Sequence, residues 1–193
     1  MEEQNAIGAT ASLSSAQQAL AALWDQHLRS EFVAHNAQEA VDTMVEDATV
    51  NHVPVLTGGV GRQQVQEFYS TTFLPQIPAD LQLTPVSRTI DTNQLVDEFV
   101  ATFTHSLQMD WMLPGVAPTG KQVVLPVVAI VRFREGKMAS ETLYWDQASV
   151  LVQLGLLAAS PLPVSGVESA HKVLDPTLPS NTLIERARAK KPR

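Results

Sequence analysis

The chain has 193 residues, 45% of them hydrophobic, enough for one domain with a sizeable core. It contains no cysteine, which excludes disulfides, thiolate metal sites and a cysteine nucleophile and fits a cytoplasmic protein. Five of its 13 basic residues fall in the last eight positions, which leaves eight against 20 acidic residues elsewhere; such a body repels nucleic acid and anionic membrane, and neither is expected as a partner.

Residues 1–14, "MEEQNAIGATASLS", hold two acids and no apolar block, so they read as a flexible start rather than a secretory signal. A helix over 15–35 follows, opened by Ser14 or Ser15. Leu20, Leu23, Trp24, His27, Leu28 and Phe32 recur along it at helical spacing. His27 lies on or beside that apolar face and reads as a packed histidine; His35 suits the last turn. Neither is given a chemical role. A short second helix fits 37–47, capped by Asn36. "TVNHVPVL" reads as a strand and "TGGVGR" as a glycine turn. These glycines match neither a P-loop nor a dinucleotide fingerprint. A third helix over 61–73 carries Val65, Phe68, Tyr69 and Phe73 on one side, and the prolines of "LPQIPAD" end it.

From about residue 81 the period changes to two. "LQLTPVSRTI" is a strand with a bulge or edge at Pro85. In "QLVDEFVATFTHSLQ", Asp97, Phe99, Ala101, Phe103 and His105 share one face. "DWMLPGVAPTGK" is a long connection. "QVVLPVVAIVRFREGK" is an apolar strand, and "MASETLYWD" pairs back on it. "QASVLVQLGLL" is helical. Beyond Leu157, five prolines and no sustained period predict an extended, largely irregular tail over 158–193, with one short helix near its end.

Helices followed by strands give an α+β fold: a curved antiparallel sheet with three N-terminal helices on its concave face, leaving a cone-shaped pocket. One carboxylate, Asp146, stands where the last strand meets the closing helix. It is either a helix cap or an acid–base group raised toward neutrality by burial. If Asp146 points inward, Tyr144 does too, and Leu143 and Trp145 point outward as an apolar patch that asks for a homodimer. Otherwise Trp145 faces in and Asp146 out. His105, at the rim of its strand, and His52, on the first strand, are further proton-exchange candidates. Trp111 and Met112 could form a lid, with Tyr69 and Phe73 on the helix side. No histidine pair has metal-ligand spacing, so no metal is expected, and no G-x-S-x-G supports a serine triad.

The element order, "GVGRQQVQEFY", the hairpin around "REGKM" and above all "ETLYWDQASVLVQLGLL" resemble the nuclear-transport-factor-2-like (cystatin-like) superfamily, and within it the SnoaL-like polyketide cyclases, over residues 15–157. The resemblance implies a cone-shaped barrel, dimeric through its outer sheet face. It implies catalysis without cofactor or metal: acid–base cyclisation by aldol closure, or isomerisation, of a small apolar carbonyl-containing molecule. Asp146 would be the acid–base group and His105 its helper, with His52 third. Tyr69, Phe73, Trp111, Met112 and Tyr144 would contact substrate. The epoxide-hydrolase branch is disfavoured, since no arginine lies two residues from an inner-strand aspartate. The alternative is a non-catalytic binding or dimerisation module with a filled cone.

Overall fold

The computed structural model describes residues 13–189. Helix α1 runs Ser15–Phe32 and begins where Ser14 and Gln17 cap each other reciprocally. It buries Trp24, His27, Ser30 and Glu31. Helix α2, Ala37–Asp42, is opened by the Asn36 side chain, which accepts from the Gln38 and Glu39 N–H groups. It stops five residues short of the expected 47. Strand β1, Met44–His52, takes over, because Ala48, Val50 and His52 can all bury on one face only at period two.

The expected glycine turn is itself a strand, β2 (Thr57–Val60), hairpinned on β1. Gly58 has φ +137, and a Cβ there would sit 2.0 Å from the Val50 carbonyl oxygen. Only glycine lets the two backbones approach so closely. Helix α3, Arg62–Phe68, continues as a π-helical stretch Tyr69–Phe73 and a 3-10 turn Leu74–Gln76.

Strands β3 (Gln82–Ile90), β4 (Gln94–Thr104), β5 (Gln122–Arg134) and β6 (Lys137–Trp145) complete one sheet in the order β2-β1-β6-β5-β4-β3. Every pair is antiparallel except β1–β6, which is parallel. Register shifts at Pro85/Ser87, Arg132/Phe133 and Met44/Thr49 bend the sheet. The three N-terminal helices lie on the concave face, and the core fills the space between: Trp24, Val65, Tyr69, Phe73, Phe103, Leu125 and Met138 among others.

On β4 the face carrying Asp97, Ala101, Phe103 and His105 is buried, as alternation predicts. On β6 the expected parity is reversed. Glu141 is buried, Leu143 and Trp145 pack on the core, and Tyr144 is 45% exposed. Burying the Trp145 ring against His52, centroid to centroid 5.6 Å, outweighs placing a lone carboxylate inside. The apolar patch that asked for a partner is therefore turned into the core.

Helix α4 (Gln147–Gln153) follows β6 and packs beside the start of β5. The Gln153 amide donates to the Val124 carbonyl at 3.0 Å and accepts from its N–H at 2.9 Å, as a neighbouring strand would. The tail corrects a second expectation: it holds two helices, α5 (Glu168–Leu174) and α6 (Thr182–Ala189). Helix α5 packs on β5, Ala170 is fully buried, and Ser149 Oγ donates to the Gly166 carbonyl at 2.8 Å. Among the described residues no helix is long and apolar enough to cross a membrane.

Candidate functional site

Two groups of polar side chains meet on the inner face. The deeper one joins α1, the π-helical stretch and β6. His27 Nε2 lies 3.2 Å from a Glu31 oxygen, 3.2 Å from the Tyr69 hydroxyl and 3.5 Å from a Glu141 oxygen. Tyr69 donates to Glu141 at 3.0 Å. On the other side of the ring, Nδ1 meets Thr43 Oγ1 at 2.8 Å, and that hydroxyl donates to the Ala40 carbonyl at 2.6 Å. Thr43 must then accept, so Nδ1 carries the proton. Trp24 stacks on the imidazole at 5.6 Å.

None of His27, Glu31, Tyr69 and Glu141 is more than 4% exposed, so their charges are coupled. Burial alone pushes the imidazole down, but Glu31 and Glu141 outweigh it and hold His27 up at about 10. Burial raises Glu31. It would raise Glu141 too, but hydrogen bonding and charge from His27 bring that carboxyl below its ordinary range. Burial, and then both carboxylates, push the Tyr69 phenol up. Helix α1 can hold this set because His27 and Glu31, four residues apart, share one face.

The second group lies nearer the rim. Arg88 on β3 stands opposite Asp97 on β4. Its Nε and Nη2 donate to the two Asp97 oxygens at 3.1 and 2.6 Å, and its Nη1 donates to Asp25 on α1 at 2.8 Å. Trp24 Nε1 donates to Asp97 Oδ2 at 2.9 Å, so the same indole touches both groups. These carboxylates, Asp97 first, keep Arg88 firmly protonated. Beside them opens a cleft of about 440 Å³, walled by Leu28, Leu83, Pro85, Val86 and Phe99 with Arg88 and Asp97. A larger cavity, about 950 Å³, lies among α4 and the tail helices and is lined by no residue of the sheet. It is a gap between helices, away from the inner face, and the smaller cleft is the better candidate.

The residues singled out from sequence separate into four places. His52, Phe73 and Trp111 come together: His52 is 2% exposed and meets Phe68, Phe73, Trp111 and Trp145 at centroid distances of 5.5–5.8 Å. Burial lowers its pKa, and its Nδ1 lies 3.0 Å from Thr57 Oγ1. Met112 is buried nearby through Gln147, which donates to its carbonyl. Tyr69 stands at the neighbouring deep group. His105, fully buried, has Nδ1 3.2 Å from Thr119 Oγ1 and a buried Nε2 with no partner among the described residues; burial pushes it down.

Asp146 does not face the interior. It is exposed and caps α4, accepting from Ala148 and Ser149 N–H at 2.9 and 3.2 Å. Tyr144 shares that outer side. With Trp145 inward, strand alternation leaves no other direction for either.

Sequence reasoning missed Glu31, Glu141, Asp97 and Arg88 and gave His27 no role. One signal was available. Glu31 continues the Trp24–His27–Leu28 stripe, and a carboxylate in an apolar stripe four residues after a histidine asks for a partner. Glu141 could not be found that way, since its direction depends on the β6 register.

Comparison with known proteins accords with this architecture. A solved protein from Jannaschia, described as a SnoaL-like polyketide cyclase, shares 16% identity at TM-score 0.60, covering 76% of this chain and 99% of its own. AclR from Streptomyces galilaeus, described as a hydroxylase, shares 20% at TM-score 0.55, covering 74% and 99%. A protein of ketosteroid isomerase-like fold from Catenulispora acidiphila shares 16% at TM-score 0.54, covering 70% and 93%. At such identities these show the shared fold. No curated protein matches the chain. The SnoaL-like domain model matches residues 24–141, a span that includes both polar groups and ends before Asp146. With more than half of its length matched, this chain belongs to the SnoaL-like domain family.

Proposed function

We propose that the chain is a small-molecule acid–base enzyme whose reaction takes place in the rim cleft, on an apolar molecule bearing a carbonyl next to an acidic C–H. The observation that carries this reading is the Asp97–Arg88 pair on an apolar-walled cleft of about 440 Å³, within the size range of small-ligand sites. Asp97 Oδ2 accepts two hydrogen bonds and Oδ1 one, so Oδ1 has acceptor capacity for a substrate proton. Arg88 uses three of its N–H groups on Asp97 and Asp25. One N–H on each of Nη1 and Nη2 is without a partner among the described residues and can donate to a substrate oxygen.

Asp97 would take the proton from the carbon beside the carbonyl. The electron pair moves onto the carbonyl oxygen, where the Arg88 donors stabilise the developing charge. The enolate then either attacks a second carbonyl of the same molecule, closing a ring, or is reprotonated at another carbon. Asp97 returns the proton in both cases. The chemistry expected at Asp146 thus moves to a carboxylate on the inner face.

The test is turnover on a panel of β-keto esters by the wild type, Asp97→Asn and Arg88→Lys, with melting temperature as control. A positioned base is worth about 10²–10⁴-fold, and Asp97→Asn should lose that much. Equal turnover at equal stability refutes the assignment. A second reading, a non-catalytic binding module, is favoured by the ring cage around His52, which fills that part of the cone. It predicts no turnover on any substrate together with ligand-induced thermal stabilisation. Homodimerisation also belongs to the proposal, although nothing apolar on β6 now requires it; sedimentation tests it.

A further inference from the structure

We propose that His27, Glu31, Glu141 and Tyr69 form a closed structural site for a divalent first-row transition metal, best fitted by Zn²⁺, that ties α1 and the π-helical stretch to β6. The site is separate from the cleft, and the proposal does not depend on the chemistry assigned there. It departs from the metal-free expectation drawn from sequence.

The geometry comes first. A Glu31 oxygen, a Glu141 oxygen and the Tyr69 oxygen all stand close to His27 Nε2. The measured separations are 3.2, 3.2 and 3.5 Å from the nitrogen and 3.0 Å between Tyr69 and Glu141. The ligand atoms of His27, Glu31 and Glu141 all fall within 4.8 Å of one another. Four ligands at ~2.0–2.1 Å from a tetrahedral metal stand ~3.3 Å apart. Four of the six vertex separations, the three from the nitrogen and the one between Tyr69 and Glu141, are thus already close to what zinc would need.

Hydrogen bonding explains the same arrangement poorly. Nδ1 carries a proton because Thr43 must accept from it. If Nε2 carries one as well, it can aim at only one of three oxygens that lie 3.2–3.5 Å away. Without that proton, the Nε2 lone pair points into the cluster. The Thr43 contact is then the orienting bond that metal-bound histidines ordinarily make through their other nitrogen.

Charge points the same way. A divalent ion held by two carboxylates and a neutral imidazole makes a group with no net charge, which a dry core accommodates, with Tyr69 contributing a neutral phenol. All four residues are at most 4% exposed, and no open coordination position faces solvent. This is the closed arrangement of a structural rather than catalytic metal. It also means that the ion must enter as the chain folds.

The experiment uses the full untagged chain, unfolded in denaturant with chelator, desalted, and refolded with and without Zn²⁺. The expected result is one zinc per chain after a second desalting, and a melting temperature several degrees higher than in the zinc-free sample. Co²⁺ in place of Zn²⁺ should give the intense visible absorption of a four-coordinate ion. Glu31→Gln should weaken Zn²⁺ retention by more than the roughly 10–100-fold typical of changing a residue behind the ligands. Protein that refolds without retaining zinc, with unchanged melting temperature, overturns the proposal. So does zinc that persists in Glu31→Gln but is lost when the exposed His35 and His171 are replaced by alanine. If Glu31→Gln fails to fold, the wild-type stoichiometry and the cobalt spectrum decide.

Discussion

Raising the pH of the metal-free protein from 6.5 to 9 should destabilise it steeply. The folded state holds a proton on His27 up to about pH 10, whereas an unfolded imidazole loses it near 6.5. A group raised in this way contributes stability that is complete below 6.5 and lost as pH climbs toward 10. Glu31 is also raised, so its contribution falls with rising pH as well. Tyr69 titrates well above 10 and stays silent in this interval.

The opposite shifts act elsewhere. His52 and His105 are pushed down, so their share of stability is lost only as pH falls below 6.5. Glu141 is lowered from 4.5 and acts in more acid solution still. One extra bound proton costs ~1.4 kcal/mol per pH unit, or roughly 3 kcal/mol between 6.5 and 9. Against a typical stability of ~5–15 kcal/mol, that is a large fraction. With a urea dependence of about 2 kcal/mol per molar, the unfolding midpoint should fall by ~1.5 M. The assay is a series of urea titrations in chelator at fixed ionic strength. His27→Gln should flatten the slope, and the slope, not the absolute midpoint, is read. A wild-type midpoint that is level or rises between pH 6.5 and 9 refutes the coupled His27–Glu31–Glu141 assignment.

Asp146→Ala should cost ~1 kcal/mol, the worth of a helix cap, and leave turnover at its wild-type value; a large activity loss at matched stability would return Asp146 to the site. Gly58→Ala should break the β1–β2 hairpin, because the new Cβ meets the Val50 carbonyl at 2.0 Å; hydrogen exchange at Thr49–His52 should rise, and unchanged protection counts against it. Trp24→Phe keeps the stack on His27 but removes the N–H bond to Asp97; a loss of about 1.5–3 kcal/mol is expected, read as melting temperature. Truncation after Leu157 removes helix α5 from β5, the Gly166 carbonyl that accepts from Ser149 and the backbone beside Val152 and Gln153; it should cost roughly 2–4 kcal/mol, and an unchanged melting temperature would show that the tail only rests on the domain.

Local chemistry was legible in the sequence. Ser14 and the periodic Leu20–Phe32 stripe place α1, and strict alternation places the buried faces of β4 and β5. The spacing of "TGGVGR" excludes a phosphate loop, and Asp146 before an apolar helical run already reads as a cap. These features depend on neighbours within a few residues, where spacing alone fixes which side chains share a face. The α2–β1 boundary was lost because Met44 and Val45 satisfy both periods, and only pairing with β6 selects the strand. The inner site was lost for a related reason. Whether Glu141 or Thr142 enters the core depends on one register shift between β5 and β6, and a one-residue slip exchanges every side chain between faces. A buried carboxylate is tolerated only if His27, 114 positions earlier, and Tyr69 meet it there. The sequence by itself determined helix α1, the order of helices before strands and the apolar faces of β4 and β5. Tertiary packing decided which charged groups meet inside, since the cost of burying each one is set by partners that only the folded chain brings within hydrogen-bonding distance.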